Sequence, residues 1–393
     1  MRKQRHDFLE WAKSKGPDDT LAHSNIAEAT IYQAVNAAYC STKFQELLRE
    51  DNQWGLESLK RAIAKRYGIT DSKDEPRVLL TPGASNAIYL VCKTFLSGGD
   101  EVVIESPFYE PVRLAAEETK ARVVFWPRKG GDFSLDIDSL AGLITANTKL
   151  IILSNFHNPS GNGATREELI RVADVARKNR VMVVVDEIYL DIAKDTRGNP
   201  TASPIFAAGK ISSAAQLGDE LFISINSLSK VYGLSRIRSG WIMGTSEVIS
   251  VLRSTYKVVV NIGCLDTEAV SAVIFDDLDN YTRRSQYVVR NNREIMQAEL
   301  GNLIDGSILS GKIPEYGCTY FPKLAWLDSL TDNDADNIID TLDKECGVAP
   351  GGFFGEAYHN HVRIGLGGPS DKFHIAIRNL KQKLEALRKD RHP

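Results

Sequence analysis

The chain has 393 residues, of which 43% are apolar and 25% are charged, a balance typical of soluble globular proteins. A chain of this length exceeds one ordinary hydrophobic core, so we expect one large and one smaller domain. The formal net charge of −3 gives no basic footprint for nucleic acid, and no apolar run approaches the ~20 residues that span a bilayer.

The five cysteines are scattered and never form a Cys-x-x-Cys pair, which argues against a disulfide framework and against a zinc site. Residues 1–15 mix charges with isolated apolar residues and lack the apolar core of a secretory signal. These features favour a cytoplasmic protein. His359 and His361 flank a single residue, with no carboxylate or cysteine set nearby, so we expect no metal site.

Between residues 54 and 244, short apolar runs alternate with amphipathic stretches. Hydrophobic periodicity predicts helices at 59–67, 86–96 and 167–179, and the apolar runs predict strands at 101–105, 122–126, 149–154, 181–185 and 221–225. The run Val-Met-Val-Val-Val at 181–185 is typical of a strand that is covered on both faces. Strands that alternate with helices predict an α/β fold with a mostly parallel sheet and helices on both sides.

After about residue 265 the pattern changes. Residues 267–300 predict one or two long charged helices, and short strands near 319–327 and 362–366 precede a final charged helix at 372–388. We therefore expect three parts, which are an N-terminal segment (1–45) that packs with the small domain, a large domain (46–265) and a small C-terminal α+β domain (266–393).

Two charged residues follow predicted strands, at the edge of an open α/β sheet where ligands bind. Asp186 ends the 181–185 strand and opens the sequence Asp-Glu-Ile-Tyr. A buried carboxylate there needs a cation, although aspartate is also a favoured helix N-cap. Lys230 follows the 221–225 strand in Ser-Leu-Ser-Lys. A lysine at this edge can be a Schiff-base nucleophile once its pKa is lowered, whereas a lone loop lysine is usually only solvated.

Two turns also follow predicted strands. Thr81-Pro82-Gly83-Ala84-Ser85-Asn86 is a strand-to-helix turn of small residues, whose backbone N–H groups and helix dipole suit an anion such as phosphate. Asn158-Pro159-Ser160-Gly161 follows the 149–154 strand, and Asn-Pro by itself is a common turn starter. The sequence contains neither a G-x-G-x-x-G motif nor a Walker G-x-x-x-x-G-K-[ST] motif, so dinucleotide and nucleotide sites lack support.

Taken together, the features share one order along the chain: the phosphate turn, Tyr109, Asn158-Pro-Ser-Gly, Asp186-x-x-Tyr189, Ser227-x-Ser-Lys230 and Arg238. This order and spacing resembles the class I/II aminotransferases, which are fold-type I pyridoxal-phosphate enzymes. The resemblance covers residues 55–244 and extends to Arg363 in Val-Arg-Ile-Gly. It implies a mostly parallel seven-stranded sheet in a large domain, a smaller α+β domain, pyridoxal 5′-phosphate as the cofactor, and a homodimer.

The resemblance assigns catalytic roles to Lys230, Asp186 and Tyr189. Lys230 would hold the cofactor as a Schiff base and then move a proton as general base and general acid. Asp186 would pair with the pyridine nitrogen and keep it protonated. Tyr189 and Asn158 would hydrogen-bond the 3-oxygen of the ring, and Tyr109 would stack on the ring face.

The resemblance also implies two anion sites. The cofactor phosphate would be held by the turn residues Gly83, Ala84 and Ser85 and by the side chains of Ser227 and Arg238. Arg363 and Asn158 would bind the substrate, and Arg363 would hold its carboxylate in a bidentate pair, although a surface salt-bridge arginine is the plainer interpretation of Arg363 alone. Residues 23–28 (His-Ser-Asn-Ile-Ala-Glu) match no common glycine-containing version of the family's N-terminal substrate segment.

The leading hypothesis is an aminotransferase that moves the amino group of an L-amino acid to a 2-oxo acid. Residues 154–161 and 318–322 also have a loose similarity to a branch that includes capreomycidine-type cyclases acting on hydroxylated arginine. A second hypothesis therefore keeps the cofactor and changes the reaction to elimination, cyclisation or oxidation of such an amino acid. A third hypothesis, a ligand-sensing regulator, would need a DNA-binding domain, but residues 1–45 are neither basic nor helix-turn-helix in pattern.

Overall fold

The computed structural model describes residues 7–27, 31–50, 53–72, 75–194, 211–218, 220–304 and 308–389. None of the helices in these ranges is long and apolar enough to cross a membrane. The α-helices are α1 Phe8–Ser14, α2 Ile31–Tyr39, α3 Thr42–Leu47, α4 Glu57–Tyr67, α5 Ala84–Phe95, α6 Glu110–Glu117, α7 Ile137–Leu140, α8 Arg166–Asn179, α9 Ser246–Val259, α10 Leu265–Phe275, α11 Leu278–Leu300, α12 Asp332–Cys346 and α13 Ser370–Lys389.

A seven-stranded sheet organises the first two thirds of the chain. Its strands are β1 Val78–Thr81, β2 Glu101–Ser106, β3 Arg122–Pro127, β4 Thr148–Ser154, β5 Met182–Asp186, β6 Phe222–Ser227 and β7 Gly240–Met243. Their order across the sheet is β1-β7-β6-β5-β4-β2-β3. The five strands β3, β2, β4, β5 and β6 run parallel to one another, whereas β7 runs antiparallel to both β6 and β1. The predicted mostly parallel seven-stranded sheet is confirmed.

The sheet separates two apolar cores, because successive residues of a strand point to opposite faces. In β5, Val184 belongs to the core on one face, while Val183 and Val185 belong to the core on the other face. Helix α8 covers the second face, and Thr165 and Glu168 fix its first turn through a capping box. Burial on both faces explains why the sequence of β5 is an unbroken apolar run rather than an alternating one.

The last third of the chain is built on long helices, of which α10 packs against α4. The stretch predicted as one or two helices is two, α10 and α11, and α11 packs along α13. Short antiparallel strands follow, which are β8 Leu309–Ser310, β9 Thr319–Tyr320, β10 Lys323–Leu324, β11 Ala349–Pro350 and β12 Val362–Gly365. Helix α1 contacts α6, and its Trp11 Nε1 donates to Asp343 of α12 at 3.0 Å. The division of the chain at residues 45 and 265 stays a prediction.

Candidate active site

The predicted site residues lie at the carboxyl edge of the large sheet. Strands β2, β4, β5 and β6 run in one direction, so their C-terminal ends meet there. Asp186 is the last residue of β5, and Tyr109, Asn158 and Lys230 follow the ends of β2, β4 and β6 within a few residues. A cavity at this edge is lined by Tyr109, Asn158, Asp186 and Tyr189.

The Asp186 carboxyl group is buried, with 4% of the residue exposed. Its Oδ1 accepts the backbone N–H of Ile188 at 3.3 Å, and no side chain among the described residues donates to it. Burial raises the pKa of Asp186 to about 7, and the nearby Glu105 carboxylate acts in the same direction. The positive charge of Lys230 lowers this pKa in part. The site therefore holds a buried carboxyl group that a bound cation would stabilise in its charged form.

Lys230 lies on the loop after β6 and is half-buried. Its Nζ donates to Ser24 Oγ at 3.4 Å, and its backbone oxygen accepts the N–H of Ile26 at 3.1 Å. The same charge that acts on Asp186 also acts on Cys318, so the amine lies among groups from three distant parts of the chain. The N-terminal segment thus sits directly on the lysine loop.

Two tyrosines face the same edge. The hydroxyl of Tyr189 is buried and has no hydrogen bond of acceptable geometry among the described residues. Burial raises the pKa of Tyr189 far above its ordinary value, and the nearby Ser24 hydroxyl opposes that rise. Burial also raises the pKa of Tyr109 to about 12, with Asp186 acting in the same direction and Arg363 opposing it. Tyr109 therefore lies within electrostatic reach of both the buried carboxyl group and the buried guanidinium group.

The predicted phosphate turn depends on two glycines. Gly83 has a φ of +85° and precedes α5, and a Cβ on it would lie 2.4 Å from Arg238 Nη2. A Cβ on Gly240, the first residue of β7, would lie 2.6 Å from the Gly83 carbonyl carbon and 2.9 Å from the Ala84 nitrogen. Without these side chains, β7 and the Arg238 guanidinium can approach the backbone of the turn, where Ala84 and Ser85 begin the helix.

Arg238 lies in the loop two residues before β7, and Ser227 is the last residue of β6. The Arg238 side chain is exposed, and its Nη2 lies 3.4 Å from the carbonyl oxygen of Pro82. Ser227 is buried at the end of β6, in register with Gly240 of β7. The two side chains predicted to hold the phosphate are therefore both next to the turn, one open to solvent and one enclosed.

Arg363 on β12 is buried, with 1% of the residue exposed, so it is not a surface arginine. Its Nη1 donates to Asn158 Oδ1 at 3.2 Å and its Nη2 donates to the Ala22 carbonyl oxygen at 2.6 Å. The rings of Phe8 and Phe354 lie 5.3 and 5.2 Å from the guanidinium carbon. Burial lowers the pKa of Arg363 to about 10. Its Nε has no partner among the described residues, and no carboxylate there pairs with it.

The sequence analysis missed a buried ion pair beside Asp186. The carboxylate of Glu105 lies 2.7 Å from Arg128 and accepts the backbone N–H of Ser154 at 2.6 Å. The bond from Ser154 to Glu105 joins the end of β4 to the end of β2, and the negative charge of Glu105 is one cause of the raised pKa of Asp186. A glutamate directly after the apolar residues of β2 was the available signal, because a buried carboxylate needs a partner.

His157 is a second residue that the sequence analysis did not single out. Its Nε2 lies 2.8 Å from the Pro107 carbonyl oxygen and its Nδ1 lies 2.7 Å from Ser160 Oγ. Burial lowers the pKa of His157 to about 4, so the ring is neutral, donates through Nε2 and accepts through Nδ1. These bonds join the loop that carries Asn158 to the loop that carries Tyr109.

Comparison with known proteins identifies the family of this chain. The sequence pattern of the family described as Aminotransferase class I and II matches residues 19–380. Capreomycidine synthase of Streptomyces vinaceus is 26% identical over 345 residues, which cover 86% of this chain and 82% of that protein. Arginine–pyruvate transaminase AruH of Pseudomonas aeruginosa is 25% identical over 323 residues, which cover 79% of this chain and 76% of that protein.

A solved structure shares the fold over nearly the whole length. N-succinyldiaminopimelate aminotransferase from Mycobacterium tuberculosis superposes with a TM-score of 0.78 at 22% identity, covering 96% of each chain. This likeness confirms the predicted fold type, and the family match confirms the predicted family and its cofactor. The chain therefore belongs to the class I and II aminotransferases, which are pyridoxal-phosphate-dependent enzymes that transfer amino groups.

Proposed function

We propose that Lys230 is the lysine that binds the cofactor, and that the enzyme moves the amino group of an L-amino acid to a 2-oxo acid. One observation carries this proposal. The hydrogen bond from Arg363 to Asn158 joins a buried guanidinium group, suited to a carboxylate, to the strand edge that carries Asp186 and Lys230. An amino acid held there by its carboxylate would have its Cα beside the lysine amine.

The anion turn fits the phosphate of pyridoxal phosphate. Glycines at positions 83 and 240 leave room where a Cβ would collide with Arg238 or with the turn itself. The first N–H groups of α5, at Ala84 and Ser85, are then available to a phosphate, as helix N-termini commonly are. Arg238 would add a charged donor and Ser227 a hydroxyl donor.

The ring of the cofactor fits the remaining groups. Asp186 has a buried carboxyl group without a side-chain donor, which suits a protonated ring nitrogen. The unpaired hydroxyl of Tyr189 and the amide of Asn158 suit the ring oxygen, and Tyr109 suits the ring face. When bound, pyridoxal phosphate supplies an electron sink that stabilises negative charge developing at the substrate Cα.

The side chains of this chain would divide the remaining work. Arg363 and Asn158 would hold the carboxylate and so orient the Cα–H bond. The Nζ of Lys230 would take the Cα proton, and the aromatic groups around Arg363 would exclude water from that point. The low exposure of Arg363 strengthens its attraction to a carboxylate, because little water competes.

The first experiment is an absorbance spectrum of the cofactor-loaded protein before and after addition of single L-amino acids. Transamination predicts that one donor converts the aldehyde-form band to the pyridoxamine-form band, and that a 2-oxo acid reverses the change. A protein that binds the cofactor but never accumulates the pyridoxamine form with any donor would contradict this proposal.

A second candidate keeps the same residues and changes the outcome to elimination, cyclisation or oxidation of an amino acid such as a hydroxylated arginine. It is supported by the similarity to a protein named capreomycidine synthase over 86% of this chain. This reaction predicts turnover of one substrate without any 2-oxo acid. Strict dependence of turnover on a 2-oxo acid acceptor would exclude it.

A homodimer in the cytoplasm is the expected setting. Large apolar side chains are exposed on α2 and around the end of α9, among them Tyr32 (79%), Val258 (85%) and Ile262 (56%), which is typical of a surface that another chain covers. All five cysteines are free, which supports a reducing compartment. Light scattering coupled to size-exclusion chromatography measures the oligomeric state, and a monomer at micromolar concentration would contradict the dimer.

A further inference from the structure

Residues 23–27 belong to the stretch that matched no common family version, whose last residue, Glu28, lies outside the described residues, and they form part of a segment at residues 20–27. In the structure it lies between the lysine loop and β12. The N–H of Ile26 donates to the backbone oxygen of Lys230 at 3.1 Å, and the backbone oxygen of Ala22 accepts from Arg363 Nη2 at 2.6 Å. The segment therefore contacts both the residue proposed to bind the cofactor and the residue proposed to bind the substrate carboxylate.

Ser24 is the residue of this segment whose side chain reaches the lysine amine. It is buried, with 6% exposed, and its Oγ accepts from Lys230 Nζ at 3.4 Å. The same hydroxyl is close enough to Tyr189 to oppose the rise in its pKa. The backbone beside it lies directly on β12, because a Cβ on Gly365 would lie 1.8 Å from the carbonyl oxygen of His23. Close packing thus holds the serine hydroxyl between the two polar groups.

We propose that Ser24 is a positioning residue for Lys230, acting as the acceptor that holds the lysine amine toward the substrate Cα whenever that amine is not bonded to the cofactor. This proposal rests on the proposed function, in which Lys230 is the cofactor lysine. A long and flexible lysine side chain has many rotamers, so a fixed acceptor reduces the number of directions in which its amine can point. Because the acceptor favours the protonated amine, Ser24 also affects how readily Lys230 gives up its proton.

The first test uses the cofactor-free protein and therefore does not depend on activity. The rate at which an amine-specific acylating reagent labels Lys230 is measured by peptide mass spectrometry over a range of pH. Ser24→Ala removes the acceptor, so the midpoint of the labelling profile moves to lower pH, and labelling below the midpoint becomes about three- to tenfold faster. Ser24→Thr keeps a hydroxyl and restores the original profile. The matched control is Ser139→Ala, which replaces an exposed serine that bonds the carbonyl oxygen of Asp136.

The second test separates positioning from a purely structural role. Ser24→Ala in the loaded enzyme lowers kcat about ten- to a hundredfold and leaves the KM of the amino acid within about twofold, because Arg363 contacts the backbone of Ala22 and not the serine side chain. If Ser24 only shaped the segment, Ala22 would shift, and KM would rise with little change in the labelling profile. That second result would overturn the proposal.

Borohydride reduction of the loaded protein distinguishes the two proposals. A cofactor adduct mapped to Lys230 upholds the proposed function, and its absence there removes the basis of both proposals. With the adduct on Lys230, identical labelling profiles for the wild type and the folded Ser24→Ala protein refute the role of Ser24 alone. If Ser24→Ala fails to fold by circular dichroism, Ser24→Cys replaces it, because a thiol of similar size is a weak acceptor and predicts the same shift.

Discussion

Replacing Asp186 with asparagine should stabilise the cofactor-free protein while it weakens cofactor binding. Asparagine has nearly the same shape as aspartate but carries no ionisable proton. In the native protein the Asp186 carboxyl group is buried and accepts one backbone N–H. Burial raises its pKa from 3.8 to about 7, so the folded protein keeps the proton over a range of pH in which the unfolded chain loses it.

The sign and the size of the effect follow from this difference. Between pH 4 and 7 Asp186 binds less proton in the unfolded chain than in the folded protein, so its contribution to the free energy of unfolding falls as pH rises, and that contribution levels off above about pH 7. A difference of about three pH units corresponds to about 4 kcal/mol of lost stability at pH 8, as an upper bound. Asp186→Asn removes this loss. Glu187, whose pKa burial also raises to about 7, contributes a similar slope that is present in both proteins.

Urea unfolding of both cofactor-free proteins at a series of pH values between 4.5 and 8.5 measures the effect. The difference in midpoint between Asp186→Asn and the wild type should grow toward high pH. A fluorescence titration should show that Asp186→Asn binds pyridoxal phosphate more weakly than the wild type does, because the variant has no carboxylate for the ring nitrogen. A midpoint difference that stays constant with pH, or a variant less stable than the wild type at pH 8, would refute the argument from burial.

Three further predictions concern the other parts of the site. Lys230→Ala should give no covalent adduct on borohydride reduction and should lower turnover by at least about 10³-fold, which rapid-quench assays can measure. Arg363→Lys should raise the KM of the amino acid about ten- to a hundredfold with a smaller change in kcat, because a lysine cannot make the bidentate pair. Steady-state kinetics measures both constants, and an unchanged KM would contradict the role of Arg363 in binding the carboxylate. Gly240→Ala should weaken pyridoxal-phosphate binding at least tenfold in a fluorescence titration, since its Cβ would lie 2.6 Å from the backbone of Gly83. Gly142→Ala is the matched control, because a Cβ there meets nothing within 4 Å, and equal loss in both variants would rule out a specific clash at the turn.

Burying the charged form of Asp186 and burying the charged form of Arg363 cost free energy for the same physical reason. Each is an ionisable group removed from water without a charged partner in direct contact among the described residues. Burial raises the pKa of Asp186 and lowers the pKa of Arg363, and both changes favour the neutral form. The ring nitrogen of the cofactor and the carboxylate of the substrate are the partners of opposite charge that we propose for them. Burying these two groups without partners lowers the stability of the ligand-free protein. Pairing them with the two ligands would recover that free energy as binding free energy.

The sequence by itself determined the fold class and the positions of the main site residues, because these depend on local patterns. An unbroken apolar run predicts a buried parallel strand, and a ligand edge follows at its carboxyl end. Asp186 ends such a strand and Lys230 follows the end of another by three residues, so strand direction places both at the same edge of the sheet. The small residues around Gly83 likewise predicted a tight turn before a helix.

Only the tertiary structure decided the contacts between segments that are far apart along the chain. Arg363 meets Asn158 across 205 residues, and Lys230 meets Ser24 across 206 residues. The pair of Glu105 with Arg128 also depends on how neighbouring strands and loops pack. No local pattern encodes these pairs, since burial and hydrogen-bond geometry arise only when the elements are packed together. The fold therefore sets the protonation and the orientation of the site side chains. The identity of these residues and their order along the chain were already present in the sequence.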